Sequence, residues 1–522
     1  MKNIFYLLLV LLIFSNGLAN DTVKTDSLIV QAVRTHEKVI VDGILSETVW
    51  QNGNEVSKFT QREPIEGSQA TEKTEVRIAY DDNALYIGAR MFDSAPDSII
   101  ARLARRDAMV SSDYFAFFID PYYDKRSGFY FVVTAAGTLM DGVLMNDDWD
   151  DDSWDGVWEV KTNIDDKGWT AEFSIPYSQL RFHKKDKYIW GVNFKRKILR
   201  KNESDYLTFT PKDGSGFVSR FVDLIGIENI SPIRQIEFLP YFRTKAEYTH
   251  PEAGNPFNDG SHYLPGMGLD VKLGIGNNLT LDATVNPDFG QVEVDPAVVN
   301  LSDIETYFME KRPFFIEGSN IFRFGKGGSN SFYSLSWGGP RFFHSRRIGR
   351  TPQGSLPDFD FADMPEGTKI LGAGKLTGKT GNNWNLGVLG AVTAREKAEL
   401  QYSENKFHSE VEPLTYYGVF RTQKEFEKGR HGLGFISTLV NRKFDDVSLK
   451  DQLNSESYGL GLDGWTFFDK DKVWVITGWA GLSQVRGNQE RMTSLQQSSR
   501  HYFQRPDVSH VQVDSLATSM TG

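Results

Sequence analysis

The second half of the chain alternates apolar and polar residues with a period of two, and this alternation restricts the fold more than any other feature of the sequence. In an extended strand, successive side chains point to opposite faces of a sheet. Between residues 235 and 248, one face receives Ile236, Phe238, Phe242, Ala246 and Tyr248, and the other receives Gln235, Glu237, Arg243, Lys245 and Glu247. Residues 269–285 repeat the pattern on both sides of a Gly-Asn-Asn turn. The pattern predicts a sheet that separates an apolar medium from water.

The predicted strands are joined by short connections at one end and by long connections at the other. Further strands are predicted at about 369–379, 383–394, 413–424, 431–442, 457–468 and 472–485. The long links are 249–266, 287–368, 396–412 and 443–456. Short periplasmic turns and long outer loops are typical of an outer-membrane β-barrel. About nine strands can be counted, where single-chain barrels normally have an even number, so we expect residues 229–522 to form a truncated antiparallel transmembrane β-barrel.

The N-terminus and the composition indicate export. Residues 1–19 combine Lys2, a short apolar run and small residues before Asn20, which is typical of a secretory signal peptide. No later apolar stretch is long enough for a membrane-spanning helix. The chain has no cysteine, so packing and sheet closure must stabilise it after export. A net charge of -11 argues against nucleic acid as a partner, and outer-membrane lipid is the expected one.

After a linker at 20–38, residues 39–228 are predicted to form a β-sandwich. Strand-like runs recur with turn signals between them, at 75–80, 84–90, 114–119, 129–133 and 169–176. Four motifs follow in order, VDGILSETVW at 41–50, AYDDNALYI at 79–87, DYFAFFIDP at 113–121 and GWTAEFSIP at 168–176. Together they resemble the family 9 carbohydrate-binding module and its relatives. The resemblance implies an all-β sandwich and an oligo- or polysaccharide partner.

The resemblance also implies a sugar site that this chain does not reproduce. In that family a sugar lies between two tryptophans, and a glutamate in the strand of the third motif binds its hydroxyls. This chain has Val110 and Ala116 at the positions of one tryptophan and of the glutamate. Trp50 and Trp169 lie inside strand or turn signatures and are predicted to be core residues.

An acidic segment rich in tryptophan is the remaining candidate for carbohydrate binding. Its aromatic residues Trp149, Trp154 and Trp158 suit the apolar faces of sugars, and its carboxylates suit their hydroxyls. Asp148, Asp150, Asp152 and Glu159 also have the relative positions 1, 3, 5 and 12 of a calcium loop, although Ser153 replaces the usual glycine. A bound Ca²⁺ is therefore one hypothesis. A solvated acidic loop with Trp154 and Trp158 inside the sandwich is the other.

Residues 286–318 fit neither the alternation before them nor the alternation after them. Ser302 and Glu305 form the capping box of a short helix that ends near Met309, and an extended path is predicted to resume after Pro313. The segment contains NPDFGQVE and EKRPFFIEG, which resemble signatures of a Bacteroidota family. That family joins a module-9-like domain to an outer-membrane barrel, and the resemblance implies this architecture without any particular reaction.

The link 287–368 is expected to fold back as a plug or lid. Its charged residues are predicted to form an ionic cluster on the wet side of the barrel, namely Asp288, Glu293, Asp295, Glu310, Lys311, Arg312 and Glu317. A metal or substrate contact by the first three of these is the alternative, but no histidine lies near them in the sequence. We predict no catalytic residue in this segment.

Three functions compete at this stage. The first is a non-enzymatic outer-membrane protein with a periplasmic sandwich that binds or handles glycan material at the cell envelope. The second is a glycoside hydrolase in carbohydrate catabolism, which needs a protonated acid and a second carboxylate about 5–10 Å apart in a sugar-sized cleft. The third is a structural component of an envelope secretion or assembly machine. No spacing of acids in the sequence singles out a catalytic pair.

Overall fold

The computed structural model describes residues 28–522 except 146, 148, 153, 215, 232–235, 251–252, 277–278, 288–307, 309, 326–340, 381–383, 428 and 470–473. The described chain is all-β, as the sequence predicts. It forms two β-structures in sequence order, one before and one after residue 230. Every helix among the described residues is too short or too polar to cross a lipid bilayer.

The first structure is a sandwich of two sheets and one short helix, α1 (Thr48–Asn52). Its strands are β1 (Ile29–Gln31), β2 (Val33–Arg34), β3 (Thr60–Glu63), β4 (Thr74–Tyr80), β5 (Ala84–Phe92), β6 (Tyr114–Asp120), β7 (Gly128–Thr134), β8 (Leu139–Met145), β9 (Trp149–Asp151), β10 (Glu159–Asp165), β11 (Gly168–Pro176), β12 (Lys187–Ile198), β13 (Glu203–Tyr206) and β14 (Val222–Glu228). The larger sheet has the order β1-β14-β12-β6-β7-β8-β9, with β13 beside β12 and β3 beside β13. The smaller sheet has the order β10-β11-β5-β4-β2.

The two sheets share one aromatic core. Phe115 of β6 and Phe173 of β11 belong to different sheets, are both fully buried, and meet edge to face with ring centroids 6.0 Å apart. Trp50 and Trp169 lie in buried positions with 3% and 0% exposure, which confirms the prediction that both are core residues. Buried apolar area of this kind is the main stabilising term in a domain without disulfides.

The predicted linker is partly wrong. Residues 29–34 form β1 and β2, which pair in parallel with β14 and β4 and so extend both sheets. The physical reason is the alternation of apolar residues there, because Val30 and Ala32 are only 1% and 3% exposed. The sandwich therefore includes residues from 29 onward.

The second structure is a sheet of ten strands, and the nine strands predicted from alternation agree with nine of them. Its strands and those of a small side sheet are β15 (Ile236–Tyr248), β16 (Ser261–Ile275), β17 (Leu279–Val285), β18 (Phe361–Asp363), β19 (Ile370–Lys379), β20 (Trp384–Thr393), β21 (Glu396–Tyr402), β22 (Asn405–Glu412), β23 (Leu414–Phe426), β24 (His431–Lys443), β25 (Glu456–Phe467), β26 (Val475–Arg486) and β27 (Ser519–Thr521). The ten-stranded order is β15-β16-β17-β19-β20-β23-β24-β25-β26-β27. Among the described residues, three α-helices accompany it, α2 (Pro313–Ile316), α3 (Leu449–Gln452) and α4 (Gln489–Gln497).

One prediction for the connections is wrong, that of an extended path after Pro313, whereas the long link 396–412 does connect the neighbouring strands β20 and β23 and has a structure of its own. The link 396–412 is a hairpin of β21 and β22, which forms the side sheet with β18. Its formation is driven by a small core of its own, in which Ala398, Leu400 and Val411 are fully buried. The path after Pro313 is helical, because proline is tolerated in the first turn and the amides of Phe315 and Ile316 donate to the Arg312 carbonyl.

The two faces of the ten-stranded sheet differ in polarity, as the alternation predicts. On the face that we call the apolar face, the side chains are exposed, among them Ile236, Phe238, Phe242, Val285, Val388, Phe420, Leu433, Leu439, Leu460, Leu462, Ile476 and Leu482. On the other, the polar face, charged and hydroxyl side chains are buried, among them Thr280, Asp282, Thr284, Lys375, Thr377, Arg421 and Asp463. The sheet thus reverses the usual arrangement of a protein in water.

We predict that Glu172 holds the loop at Asp42–Gly43 and the helix α1 to the smaller sheet of the sandwich. Its buried carboxylate accepts hydrogen bonds from Trp50 Nε1 at 2.8 Å and from the amides of Asp42 and Gly43 at 3.0 and 3.2 Å. Because Glu172→Ala leaves buried donors without an acceptor, the free energy of unfolding should fall by at least roughly 1–3 kcal/mol. Denaturant unfolding of the full chain measures this. The exposed Glu37→Ala variant should be unchanged, and an equal loss in both variants would contradict the assignment.

Candidate functional site

The segment 310–325 covers the polar face of the ten-stranded sheet, and we call it the plug. Lys375 of β19 donates from Nζ to the carbonyl oxygens of Phe314 and Glu317, at 2.7 and 2.6 Å. Phe314 lies within the four-residue helix α2, and Glu317 directly follows its last residue. Lys375 also lies 3.6 Å from Asp282 of β17. One sheet lysine therefore fixes the plug helix and pairs with a sheet carboxylate.

One further ion pair and one hydrogen bond join the plug to the sheet. Lys272 of β16 pairs with Glu317 at 2.8 Å. Arg421 of β23 and Asp463 of β25 form a bidentate ion pair with N–O distances of 2.6 and 2.8 Å. Asp463 also accepts a hydrogen bond from the amide of Gly325, at 3.0 Å. Arg421 and Asp463 are each only 2% exposed as side chains. The charges on the polar face are thus matched by the plug and by one another.

Within the plug, Arg312 is the centre of a network of hydrogen bonds. The guanidinium makes two hydrogen bonds of 2.7 Å to the Glu310 carboxylate. It also donates to the carbonyls of Ile348 and Ser345, at 2.6 and 2.8 Å, and lies 4.3 Å from the ring centroid of Phe315. With 14% and 13% side-chain exposure, Arg312 and Glu310 form a mostly buried pair. Arg312 therefore ties the start of the plug to residues 345–348 of the same long link.

The predicted ionic cluster is partly formed. Glu310 pairs with Arg312, Glu317 pairs instead with a sheet lysine, and Lys311 is exposed. Asp288, Glu293 and Asp295 lie outside the described residues, as does almost all of the helix predicted from Ser302. The sheet partners Lys272, Lys375, Arg421 and Asp463 were missed by sequence reasoning. Their signal was present, since each is a charge at the polar positions of an alternating strand.

The acidic segment of the sandwich is arranged differently from the prediction of exposed tryptophans. Trp154 and Trp158 are 8% and 5% exposed and pack on Phe131, with Trp158 stacked on Phe173 at 5.7 Å. This corrects their assignment as sugar platforms and agrees with the alternative of tryptophans inside the sandwich. The side chain of Trp149 is outside the described set.

The calcium hypothesis stays a prediction. Asp152 and Glu159 are exposed, whereas Asp148 and the side chain of Asp150 are outside the described set. Asp150 lies in β9 of the larger sheet and Glu159 begins β10 of the smaller one, so the proposed ligands span both sheets. The segment is thus a crossover between sheets rather than a loop between helices.

One group of carboxylates in the described residues has metal-ligand spacing, but an arginine already occupies it. Ligand atoms of Asp107, Asp141 and Asp155 lie within 4.8 Å of one another. Arg106 pairs with Asp107 at 3.4 Å and with Asp155 at 3.1 Å, and it hydrogen-bonds Asp141. Burial raises the pKa of Asp107 to about 6, which a neighbouring cation only partly offsets. The group is a structural ion pair network centred on Arg106.

The outward face of the larger sandwich sheet carries the position where the family resemblance implies a sugar-binding glutamate. Ala116, which stands there, is 1% exposed and packs with Val218 and Phe221 of the chain's own later segment. The implied site is therefore closed by this chain itself. Ala116 is therefore a buried residue of this cluster and not a surface position.

Next to Ala116 the same face keeps a partly exposed aromatic patch, which we define as Tyr114, Lys195, Tyr206 and Phe217. Lys195 Nζ lies 5.2 and 5.3 Å from the ring centroids of Tyr114 and Tyr206. Phe217 meets Tyr206 edge to face at 6.4 Å. Ala116 pairs with Lys195 across the strands, and Lys195 pairs with Tyr206, so the patch follows one row of the sheet. Aromatic faces beside an ammonium donor suit a ligand with C–H faces and hydroxyls.

Comparison with known proteins assigns the second structure and the plug to one family. The family described as "Domain of unknown function (DUF5916)" matches residues 231–505. The chain belongs to this family. The matched range includes the plug and all strands of the ten-stranded sheet except the last short one, so the plug and the sheet are the family's shared structure. No curated protein matches the chain.

Two solved structures are similar to part of the chain. Both are family 9 carbohydrate-binding modules from Caldicellulosiruptor kristjanssonii, one in complex with cellotriose and one with glucose. Their sequence identities are 16% and 15%, each comparison covers 40% of this chain and 99% of the other, and each TM-score is 0.29. A TM-score below 0.5 does not establish a shared fold. The sandwich assignment rests on the two sheets themselves.

We expect Arg312→Ala to destabilise the plug strongly. The substitution leaves the mostly buried Glu310 carboxylate without its cation, which typically costs on the order of 3–5 kcal/mol. Thermal or denaturant unfolding of the full chain in detergent, followed by proteolysis in the plug, measures the loss. Lys311→Ala is the matched control, because the Lys311 side chain is next to Arg312 in the sequence but is exposed. A cost of only about 0–1 kcal/mol for Arg312→Ala would place the pair in solvent and contradict the buried contact.

Proposed function

We propose that this protein is an outer-membrane β-barrel protein whose plug fills the lumen and whose periplasmic sandwich binds glycan material of the cell envelope. The observation that carries the proposal is the reversed polarity of the ten-stranded sheet. Apolar side chains stand exposed along its strands, whereas Lys375, Arg421 and Asp463 are at most 4% exposed on the opposite face. Such an arrangement is unfavourable in water and is required where lipid contacts the outside of a sheet.

Aromatic residues at both borders of the apolar face support a membrane position. Tyr248, Tyr263, Tyr416 and Tyr458 lie towards the end with long connections, and Trp384, Phe426 and Trp474 towards the end with short turns. Tyrosine and tryptophan are favoured at the interfaces between lipid and water, because their rings are apolar and carry a polar atom. The strands between the borders are 10 to 13 residues long in β19, β20 and β23, which suits a tilted crossing.

The aromatic patch of the sandwich supports the glycan part of the proposal. It offers partly exposed rings on a rigid sheet face, with the Lys195 ammonium between two of them. Binding through such a patch involves no chemical step, so the proposal is a binding protein rather than a hydrolase. A role in an envelope assembly machine would use the same sheet and plug without a glycan ligand.

Epitope tags test the membrane part. Because the strands are antiparallel, Gly260, Lys406 and Asp451 share the end with long connections, and Asn382 and Lys470 share the end with short turns. Tags at the first three positions should be detected on intact cells, and tags at the last two only after the outer membrane is permeabilised. Antibody labelling followed by flow cytometry measures this. The reverse pattern would invert the topology, and equal labelling of all five tags on a secreted soluble protein would refute a membrane position.

Ring removal tests the glycan part. We expect Tyr206→Ala to weaken oligosaccharide binding by the full chain on the order of tenfold, which corresponds to about 1.4 kcal/mol, because a stacking face is lost. Tyr206→Phe keeps the ring and should bind within a few fold of the unmodified chain. Calorimetric titration with a panel of neutral and acidic oligosaccharides, with hydrolysis products monitored, measures both. Equal binding by all three chains would exclude this patch, and product formation would favour the hydrolase.

A further inference from the structure

The sandwich contacts the ten-stranded sheet through the loop between β6 and β7, residues 121–127. Arg126 Nε donates to Glu425 Oε2 at 2.8 Å, and Lys379 Nζ donates to Asp124 Oδ2 at 2.5 Å. Lys379 is the last residue of β19, and Glu425 is the residue before the last of β23. Both therefore lie at the end of the sheet where the turns are short. The loop joins the two β-structures at that end.

Both ion pairs are shielded from water. The side chains of Arg126 and Glu425 are 3% and 7% exposed, and those of Asp124 and Lys379 are 8% and 12% exposed. Burial alone would raise the pKa of Asp124, but the neighbouring Lys379 ammonium lowers it below its ordinary value, so the carboxylate stays charged. Breaking one buried pair leaves an uncompensated charge and is strongly unfavourable. The contact is thus specific rather than an incidental touch of two surfaces.

The loop is shaped for this contact before it meets the sheet. The Asp120 carboxylate accepts the amides of Tyr123 and Lys125, at 2.7 and 2.8 Å. The Asp124 carboxylate accepts the amides of Arg126 and Ser127, at 2.7 and 2.8 Å. These local bonds hold Tyr123 and Lys125 at φ values of +56° and +59°, which side-chain-bearing residues rarely adopt. Preorganisation of this kind lowers the entropic cost of docking.

The sheet is shaped for the loop as well. Gly429, in the turn between β23 and β24, has φ +81°, and a Cβ there would overlap the Arg126 side chain. Arg181, from the sandwich segment between β11 and β12, lies close enough to interact electrostatically with Asp282 on the polar face. Two separate sandwich segments therefore approach the sheet. The loop 121–127 contacts the ends of β19 and β23, and Arg181 lies towards the polar face.

We propose that the loop 121–127 is a latch that holds the sandwich as a lid over the short-turn end of the sheet, and that its release uncovers the plug and the polar face from that side. The latch consists of the Arg126–Glu425 and Asp124–Lys379 pairs. The statement that this end opens to the periplasm rests on the proposed function, whereas the latch itself is a contact within one chain. Docked and undocked sandwiches are the two states of the device.

Substitutions on the sheet side test the latch without altering the sandwich. The double variant Glu425→Gln/Lys379→Met removes both sheet partners and leaves every sandwich residue in place. We expect amide hydrogen exchange in residues 121–127 of the full chain in detergent to accelerate on the order of ten- to hundredfold, while exchange in β6 and β7 stays unchanged. Glu425→Asp keeps the charge and should exchange at nearly the original rate. Glu228→Gln, which removes an exposed pair with Lys187, is the control for loss of an ion pair as such.

Two outcomes would overturn the latch. Unchanged exchange in residues 121–127 of the double variant would mean that these pairs do not hold the sandwich. Faster exchange throughout both β-structures would mean that the substitutions unfold the chain rather than release a lid. Neither outcome depends on a bilayer, so failure of the latch is distinguishable from failure of the membrane proposal, which the epitope tags decide.

Discussion

Charges on the polar face of the ten-stranded sheet need partners, because an unpaired buried ion costs several kcal/mol and water is excluded where the plug lies. The plug supplies those partners. Two of its carbonyls accept hydrogen bonds from Lys375, and its Glu317 carboxylate pairs with Lys272. The amide of its Gly325 donates a hydrogen bond to the Asp463 carboxylate. Without the plug these groups would require a water-filled interior. The plug is therefore part of the fold of the sheet as much as an insertion between two of its strands.

The sandwich depends on a different interaction, the burial of aromatic side chains between two sheets. It contains no disulfide and needs none, because rings such as Phe115, Phe173 and Trp169 are fully buried in one continuous core. Two of its buried carboxylates show how charge is accommodated there, since Glu172 accepts hydrogen bonds from Trp50 and two backbone amides and Asp120 accepts them from the amides of its own loop. A domain stabilised in this way tolerates a large change at its outer surface. This explains how the face around Ala116 is covered by residues 217–221 while the sheets remain regular.

Sequence alternation predicted most of the fold, because successive side chains of a strand point to opposite faces of the sheet, so the pattern can be read from neighbouring residues alone. It located nine strands of the large sheet and assigned the charged positions to one face. It could not identify partners such as Lys272 for Glu317 or Glu425 for Arg126, since these contacts join residues far apart in the chain. The same limit explains the error at Trp154 and Trp158. An aromatic residue among aspartates resembles a surface residue until the crossover between sheets places it in the core.

The positions of the aromatic patch and the latch constrain any coupling between glycan binding and lid movement. Tyr114 begins β6, and the latch loop follows its last residue, Asp120, so this end of the patch lies about 20 Å from the latch at ~3.3 Å per residue. Phe217 is closer, because its amide donates to the Asp147 carbonyl and the Asp147 amide donates to the carbonyl of Arg126 in the latch. A ligand shifts an equilibrium only if it binds the two states with different affinity. A short oligosaccharide that contacts only Tyr114 and Tyr206 binds the docked and undocked sandwich equally, whereas one that moves Phe217 acts on the hydrogen bonds that lead to Arg126. A polymer long enough to contact both the patch and the short-turn end of the sheet would contact different surfaces in the two proposed states, and it would shift their ratio directly.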